Sequence, residues 1–181
     1  MGSLAKELLG ALIVTIVVFG VLHLVVGSYA VNSQSMEPSL KSGERLVINK
    51  MTYSHSSPGR GDIIYYRSFE DNSCQVKRVI GLPGDVVEIN HNNVYVNGWK
   101  LTEPYVKYQS GYELPPYQVP MDNYWVLGDN RKTNGDTPPG MTVPRENILG
   151  QAWIYSWPPD KWGEVNNYSL DTQMEIVEIL P

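Results

Sequence analysis

The sequence predicts a mostly β protein that carries one membrane-spanning helix near its N-terminus. One long apolar run covers residues 8–27. Short runs of β-branched and aromatic residues, bounded by Gly, Pro, Asn and Asp, follow it as far as residue 155. Outside the apolar run, no stretch of ten or more residues shows a helical period of apolar side chains. We therefore expect a short head of residues 1–7, a transmembrane helix of residues 8–27 and a β-rich body of residues 28–181.

The apolar run has the length of a membrane span. Twenty residues without a charge rise about 1.5 Å each and cross roughly 30 Å of hydrocarbon. A cleaved secretory signal is the alternative, since Ser28 and Ala30 are small, but the apolar core of such a signal is typically about 7–15 residues. The short head and the long polar body favour a single-pass protein of the plasma membrane, with a cytoplasmic N-terminus and an extracytoplasmic body.

Local patterns predict a series of strands in the body. Asn97-Gly98 indicates a tight hairpin turn, because both residues accept positive φ. Residues 103–120 are rich in Pro, Tyr and Gly and predict an ordered surface loop. The tail is weakly patterned and is either disordered or contains an edge strand at residues 175–179. The predicted strands are residues 45–50, 62–67, 75–81, 86–89, 94–96, 99–101, 124–127 and 152–155.

Composition excludes several classes of function. The 181 residues are 42% hydrophobic, which is enough for a packed core. The net charge of −5 and the lack of a Lys/Arg cluster argue against a nucleic-acid partner. Cys74 is the single cysteine, so neither an intramolecular disulfide nor a cysteine-based metal site can form. With no His-Glu-x-x-His motif either, we expect no metal and no cofactor.

Ser35, which follows the apolar run closely, is a candidate nucleophile that needs a neighbouring base. The three histidines are poor partners, because His23 lies in the membrane run and the other two, His55 and His91, lie in polar loops. A histidine base is therefore not expected.

Lys77 is the better candidate for the base. It interrupts the apolar run of residues 76–80, and strand alternation places Lys77 and Arg78 on opposite faces. A lysine held among apolar groups has a lowered pKa, because burial disfavours its charged form, and the neutral amine can take a proton from a serine. The sequence therefore predicts a Ser35–Lys77 dyad.

Three segments resemble, in order, the sequence boxes of the type I signal peptidases, a family of membrane-anchored Ser–Lys serine proteases. They are Ser-Met-Glu-Pro-Ser-Leu at residues 35–40, Lys-Arg-Val-Ile-Gly-Leu-Pro-Gly-Asp at 77–85 and Gly-Asp-Asn-Arg at 128–131. The resemblance also includes the preceding helix and residues 144–150. It implies an antiparallel β-sheet catalytic domain of the signal peptidase type. It also implies an endopeptidase that removes N-terminal signal peptides from exported preproteins through an acyl-enzyme.

The same resemblance implies roles for single residues. Ser35 is the nucleophile and Lys77 the general base, while the Ser33 hydroxyl and the Ser35 backbone N–H form the oxyanion hole. Support for the lysine region would come from three residues of the last box, Asp129, Asn134 and Asp136. The family usually ends this box with Ser-x-Asp-Ser-Arg, whereas residues 134–138 here are Asn-Gly-Asp-Thr-Pro. The arginine partner of Asp136 is therefore missing, although Asn134 can still donate a hydrogen bond.

The resemblance also implies a substrate and a place for it. The substrate would be an exported preprotein with small residues at the first and third positions before the cut, presented at the lipid bilayer. Its chain would add as a strand to an exposed edge of the sheet. The expected lining of the shallow apolar pockets is Tyr29, Val31, Met36, Leu40 and Val76.

Other classes of protein would show different features. A membrane-anchored non-catalytic β-domain could lack Ser35 or Lys77, and this chain has both. A self-cleaving Ser–Lys repressor would carry a helical DNA-binding domain, and another Ser–Lys processing peptidase would share the dyad. A sortase-like transpeptidase would use Cys74 with a partnering His and Arg.

Overall fold

The structure is a computed structural model that describes residues 2–69, 71–107, 111–132, 140–170 and 174–175. Helix α1 (Gly2–Val25) comes first. Its segment Leu4–Val25 is long and apolar enough to cross a membrane, and none of this segment is buried against the rest of the protein. Strand β1 (Val26–Ala30) follows without a break. The helix thus includes the predicted head and ends two residues before the predicted boundary.

An eight-stranded antiparallel sheet forms the larger part of the body and carries the candidate site. Its strand order is β1-β2-β11-β3-β4-β9-β10, with β12 paired to β11. In β2 the side chains of Leu46 and Ile48 point into the core while their neighbours are more exposed, which is the alternation that a half-buried strand requires. The other strands of this first sheet are β3 (Ile63–Arg67), β4 (Cys74–Gly81), β9 (Asn123–Leu127), β10 (Gly140–Pro144), β11 (Ile148–Trp157) and β12 (Gly163–Glu164), and β2 itself is Arg45–Asn49.

A second, five-stranded sheet has the order β13-β7-β6-β5-β8. The turn between β6 and β7 is made by Asn97 and Gly98, whose φ angles are 54° and 82°, so the predicted hairpin is confirmed. Strand β13 pairs with β7 at the edge of this sheet. The strands are β5 (Val86–Asn90), β6 (Asn93–Val96), β7 (Trp99–Leu101), β8 (Leu114–Gln118) and β13 (Met174–Glu175).

The apolar core divides into three clusters. One lies on the second sheet around Val87, Val94 and Leu101. Another contains Val79, Val126 and other residues of the first sheet, together with Tyr53 of a short 3₁₀ turn. The cluster that matters for the site packs below the segment after β1, and its buried members are Val31, Met36, Leu40, Leu46, Ile48, Ile63, Val76, Ala152 and Val165.

All eight predicted strands are present within a few residues of their expected bounds. Four strands were not predicted: β1, which continues the apolar run, β8, which lies within the expected loop of residues 103–120, β10 and the two-residue β12. The expected edge strand of the tail begins at Met174–Glu175, and residues 176–181 lie outside the described residues.

Candidate active site

Ser35 lies in a tight turn that two buried side chains hold against the core. The Glu37 N–H donates to the Gln34 carbonyl at 3.1 Å, and the Leu40 N–H donates to the Met36 carbonyl at 2.9 Å. Met36 and Leu40 are completely buried, whereas Ser35, which directly precedes Met36, is only half-buried. The turn therefore places Ser35 near the surface, while the buried Met36 and Leu40 side chains fix its position.

The hydroxyls of Ser33 and Ser35 face each other. Their oxygens are 3.1 Å apart, a hydrogen-bonding distance at which either can donate. Ser33 is exposed, so its hydroxyl is free to turn toward a group bound at Ser35. The arrangement provides a donor beside the candidate nucleophile.

Lys77 reaches the same place from strand β4. It pairs with Ile64 in the register of β3 and β4 and is half-buried. Burial lowers the pKa of the Lys77 amine, while the negative charge of Asp129 acts in the opposite direction. Because the lowering dominates, the neutral amine is easier to populate than that of a free lysine.

Gly128 marks the point where Ser35 and Lys77 converge. A β-carbon placed on this glycine would overlap the Ser35 carbonyl oxygen and would lie 3.3 Å from Lys77 Nζ. No other residue type fits there without moving the turn that carries Ser35, since real Cβ atoms do not approach other atoms so closely. The glycine is thus required by close approach and not by its backbone freedom.

Asn130 and Arg131, which follow Gly128 closely, connect this segment to the Ser35 turn and to Glu103. Asn130 donates from its backbone N–H to the Ser35 carbonyl at 3.0 Å and from its side-chain amide to the Gln34 carbonyl at 3.1 Å. The buried Arg131 donates to the Gly128 carbonyl at 2.9 Å and forms a salt bridge with Glu103. The turn that carries Ser35 is therefore held by hydrogen bonds to the carbonyls of Gln34 and Ser35.

Asp129 and Arg78 form a fully buried ion pair behind Lys77. The Arg78 guanidinium donates to both Asp129 oxygens, at 2.9 Å and 2.7 Å, and neither side chain has any solvent exposure. Arg78 also lies over the Tyr105 ring, 4.1 Å from its centroid, and donates to the Gly61 carbonyl at 2.7 Å. Every charge in this pair is compensated, which a buried pair requires to be tolerated.

The predicted pocket residues all lie beside the turn. Val31, Met36, Leu40 and Val76 belong to one buried cluster, and Tyr29 packs against it. The Tyr29 ring is tilted against the ring of Tyr65, with centroids 5.2 Å apart. The turn thus borders an apolar floor with two aromatic rings at its edge.

Comparison with known proteins identifies the family. The family profile described as "Signal peptidase, peptidase S26" matches residues 4–157. The chain belongs to this signal peptidase family. A probable signal peptidase I-2 from Synechocystis is 39% identical over 99% of this chain and 82% of its own length. A signal peptidase I from Leptolyngbya laminosa is 36% identical over 83% of this chain and 78% of its own. A signal peptidase IB from Staphylococcus aureus is 34% identical over 84% and 91%.

For this signal peptidase, the structure brings together most of the side chains that the sequence singled out. The Ser35 backbone and the amine of Lys77 meet at Gly128, the Ser33 hydroxyl lies beside that of Ser35, and the five predicted pocket residues lie in or against one apolar cluster. Asp129 is in place but contacts Arg78, not Lys77. The other two predicted supporting residues, Asn134 and Asp136, lie outside the described residues.

Four residues of the signal peptidase site were missed by sequence reasoning: Arg78 as the partner of Asp129, Gly128, Asn130 and Arg131. The signal for the last three was their adjacency in one box, Gly-Asp-Asn-Arg. The signal for Arg78 was a charged residue among apolar neighbours on a strand, on the face opposite to that of Lys77. Only the folded chain shows which group each of them contacts.

Proposed function

We propose that this signal peptidase cuts preproteins with a Ser35–Lys77 dyad. As a member of its family, the enzyme removes signal peptides from exported proteins. The observation that carries the proposal is the convergence at Gly128 of the Ser35 turn and the Lys77 amine, whose pKa burial lowers. A hydroxyl beside a neutral amine is the pairing that an activated serine needs.

The chemistry is acyl transfer in two steps. Neutral Lys77 accepts the proton of Ser35, whose oxygen attacks the carbonyl carbon of the scissile peptide bond. The Ser33 hydroxyl, 3.1 Å from the Ser35 oxygen, and the Ser35 N–H stabilise the negative oxygen that develops. The protonated lysine gives its proton to the leaving amine, and an acyl-enzyme remains. Lys77 then activates a water molecule that hydrolyses this ester.

The substrate would be a preprotein with small side chains at the first and third positions before the cut. The support is that Val31, Met36, Leu40 and Val76 pack together in one buried cluster, and a closely packed floor leaves little depth for a long side chain. Within the described part of the chain, strand β1 pairs with β2 alone and forms the edge of the first sheet. A substrate strand can add to such an edge through main-chain hydrogen bonds.

The membrane placement follows from the helix. We infer that α1 anchors the enzyme in the plasma membrane as a single span, with the N-terminus in the cytoplasm and the body outside. The support is the length of its apolar segment and the short head beside a long polar body. Ser35 lies ten residues after Val25, which keeps the reaction close to the bilayer surface.

Substitution of the dyad tests the mechanism. Ser35→Ala and Lys77→Ala should each abolish cleavage of a preprotein that carries an Ala-x-Ala site. Lys77→Arg should be equally inactive, because a guanidinium stays protonated near neutral pH. The matched controls Ser54→Ala and Lys41→Ala change exposed residues and should retain activity. Full activity in any of the three dyad variants would refute the mechanism.

A further inference from the structure

A cleft separates the end of helix α1 from the body of the protein. Its volume is about 590 Å³, within the range of roughly 300–1,000 Å³ that is usual for sites that bind small ligands or chain segments. We call it the helix-end cleft. Its main walls are formed by Phe19, Leu22 and His23 of α1 and by Val47, Tyr65 and Ser156 of the first sheet.

The walls of the helix-end cleft are tied to each other. The Lys50 N–H donates to the Val25 carbonyl at 2.9 Å, and the Lys50 amine reaches the His23 carbonyl at 3.5 Å. A lysine is well suited to this place, because it satisfies the free carbonyls at a helix C-terminus and complements their partial negative charge. The helix therefore leaves the sheet at a defined point, with an open space beside it.

Tyr65 connects the wall of the helix-end cleft to the candidate active site. This ring lines the cleft and also packs against Tyr29, a predicted pocket residue. Tyr65 pairs with Val76 in the register of β3 and β4, one residue from Lys77. A chain that leaves the cleft past Tyr65 arrives directly at the floor of the active site.

The chemistry of the cleft changes from one end to the other. Phe19 and Leu22 are apolar, exposed residues of the segment that can span a membrane, so this end faces the bilayer. Lys50, Ser28 and Ser156 line the other end, where polar groups meet water and the first sheet. An occupant must be apolar where it leaves the membrane and able to bond through its backbone where it reaches the sheet.

We propose that the helix-end cleft binds the C-terminal end of the apolar segment of a preprotein's signal peptide, just before the residues that occupy the pockets. This inference rests on the proposed function and names where the membrane-embedded part of the substrate lies. A signal peptide has an apolar core followed by a short stretch with small residues at the cleavage site. That order of chemistry matches the order from Phe19 and Leu22, past Tyr65, to Ser35.

Photocrosslinking maps the occupant. A benzophenone amino acid replaces Phe19 or Leu22 in the full-length Ser35→Ala protein, in membranes, with a preprotein bearing an Ala-x-Ala site. The matched controls carry it at Val17 or Val21, which are equally exposed but lie on the opposite side of the helix at 100° per residue. We expect crosslinks to the preprotein from positions 19 and 22 and few from 17 and 21. Equal crosslinking at all four positions, or crosslinks to lipid alone, would overturn the proposal.

A kinetic comparison separates this proposal from the proposed function. Leu22→Trp, which fills the cleft, should raise KM for the preprotein by roughly tenfold, the order of effect expected when a pocket loses the fit of an apolar group. Val21→Trp should not change it. A short peptide with the same cleavage site but no apolar segment should be cut equally well by both variants. Equal KM values for the preprotein would refute the cleft, whereas failure of the unsubstituted enzyme on both substrates would refute the proposed function itself.

Discussion

Lys77 and Arg78 are neighbours on one strand, but their surroundings give the two cations different properties. Arg78 points into the core and meets both oxygens of Asp129. Lys77 points to the opposite face, where burial lowers the pKa of its amine. Strand alternation alone produces this separation. Arg78 is thereby paired with a carboxylate inside the protein, whereas Lys77 has the lowered pKa that the proposed base requires.

The pH dependence of cleavage should follow the Lys77 amine. Burial holds the pKa of this amine below that of a free lysine, and in the proposed mechanism the neutral form is the active one. As the pH falls through this lowered pKa the base becomes protonated, so kcat/KM should decrease by about tenfold per pH unit. The measurement is a pH profile of kcat/KM on a peptide without acidic or histidine residues. A profile that stays flat down to about pH 5 would indicate a different base.

Gly128 should tolerate no side chain. A β-carbon there would overlap the Ser35 carbonyl oxygen, so Gly128→Ala should displace the turn that carries Ser35. We expect kcat to fall by about 100-fold, which is the usual effect of a small displacement of a catalytic group. Circular dichroism should show an intact fold. Gly59→Ala is the matched control, since its β-carbon would make only an ordinary contact of 3.7 Å with Asp62. Equal activity of the two variants would contradict the role given to Gly128.

Strands with clear local signals were predictable, whereas strands that depend on their neighbours were not. Strand β2 alternates in burial, and β4 contains the β-branched residues Val76, Val79 and Ile80 around its two cations. Strand β8 is Leu-Pro-Pro-Tyr-Gln, and two prolines argue against a strand. It is tolerated because β8 lies at the edge of the second sheet, where prolines need not donate to a partner.

The end of α1 was misplaced by two residues for a related reason. Val26 and Gly27 are apolar or small and continue the membrane run in the sequence. In the structure they pair with Asn49 and Ile48 of β2, and that pairing, which joins residues more than twenty positions apart, ends the helix. The serine and the lysine of the site had local signals, whereas the partners of Asp129 and Gly128 depend on such long-range pairing.

The ion pair of Arg78 and Asp129 joins β4 to the end of β9. Asp129→Asn would leave the buried arginine without its countercharge and should reduce the free energy of unfolding by about 3–5 kcal/mol. Urea denaturation of the full chain in detergent, followed by tryptophan fluorescence, measures this. Asp160→Asn, at an exposed position, should cause little change. An Asp129→Asn protein as stable as this control would show that the pair is not required for the fold.

Only a short stretch of chain links helix α1 to the candidate active site. Only strand β1 and four further residues separate Val25 from Ser35. Ten residues span at most about 36 Å even when fully extended, and β1 is fixed to β2 along its length. With α1 in a membrane, the serine would be confined to a layer next to it, where the proposed substrate would present its cleavage site.

This arrangement is productive only if the body lies on the side of the membrane to which preproteins are exported. Because Cys74 is the single cysteine, a Cys74→Ser chain provides a background for mapping sides. Lys6→Cys near the start of α1 and Lys41→Cys on the body each add one exposed thiol to it. In intact cells whose surface is accessible, a membrane-impermeant maleimide should label position 41 and spare position 6, and both should react after lysis. The short head and long polar body favour this orientation. Labelling of position 6 but not 41 would place the body in the cytoplasm and would reject the proposed topology, while the cleavage assays would still test the dyad independently.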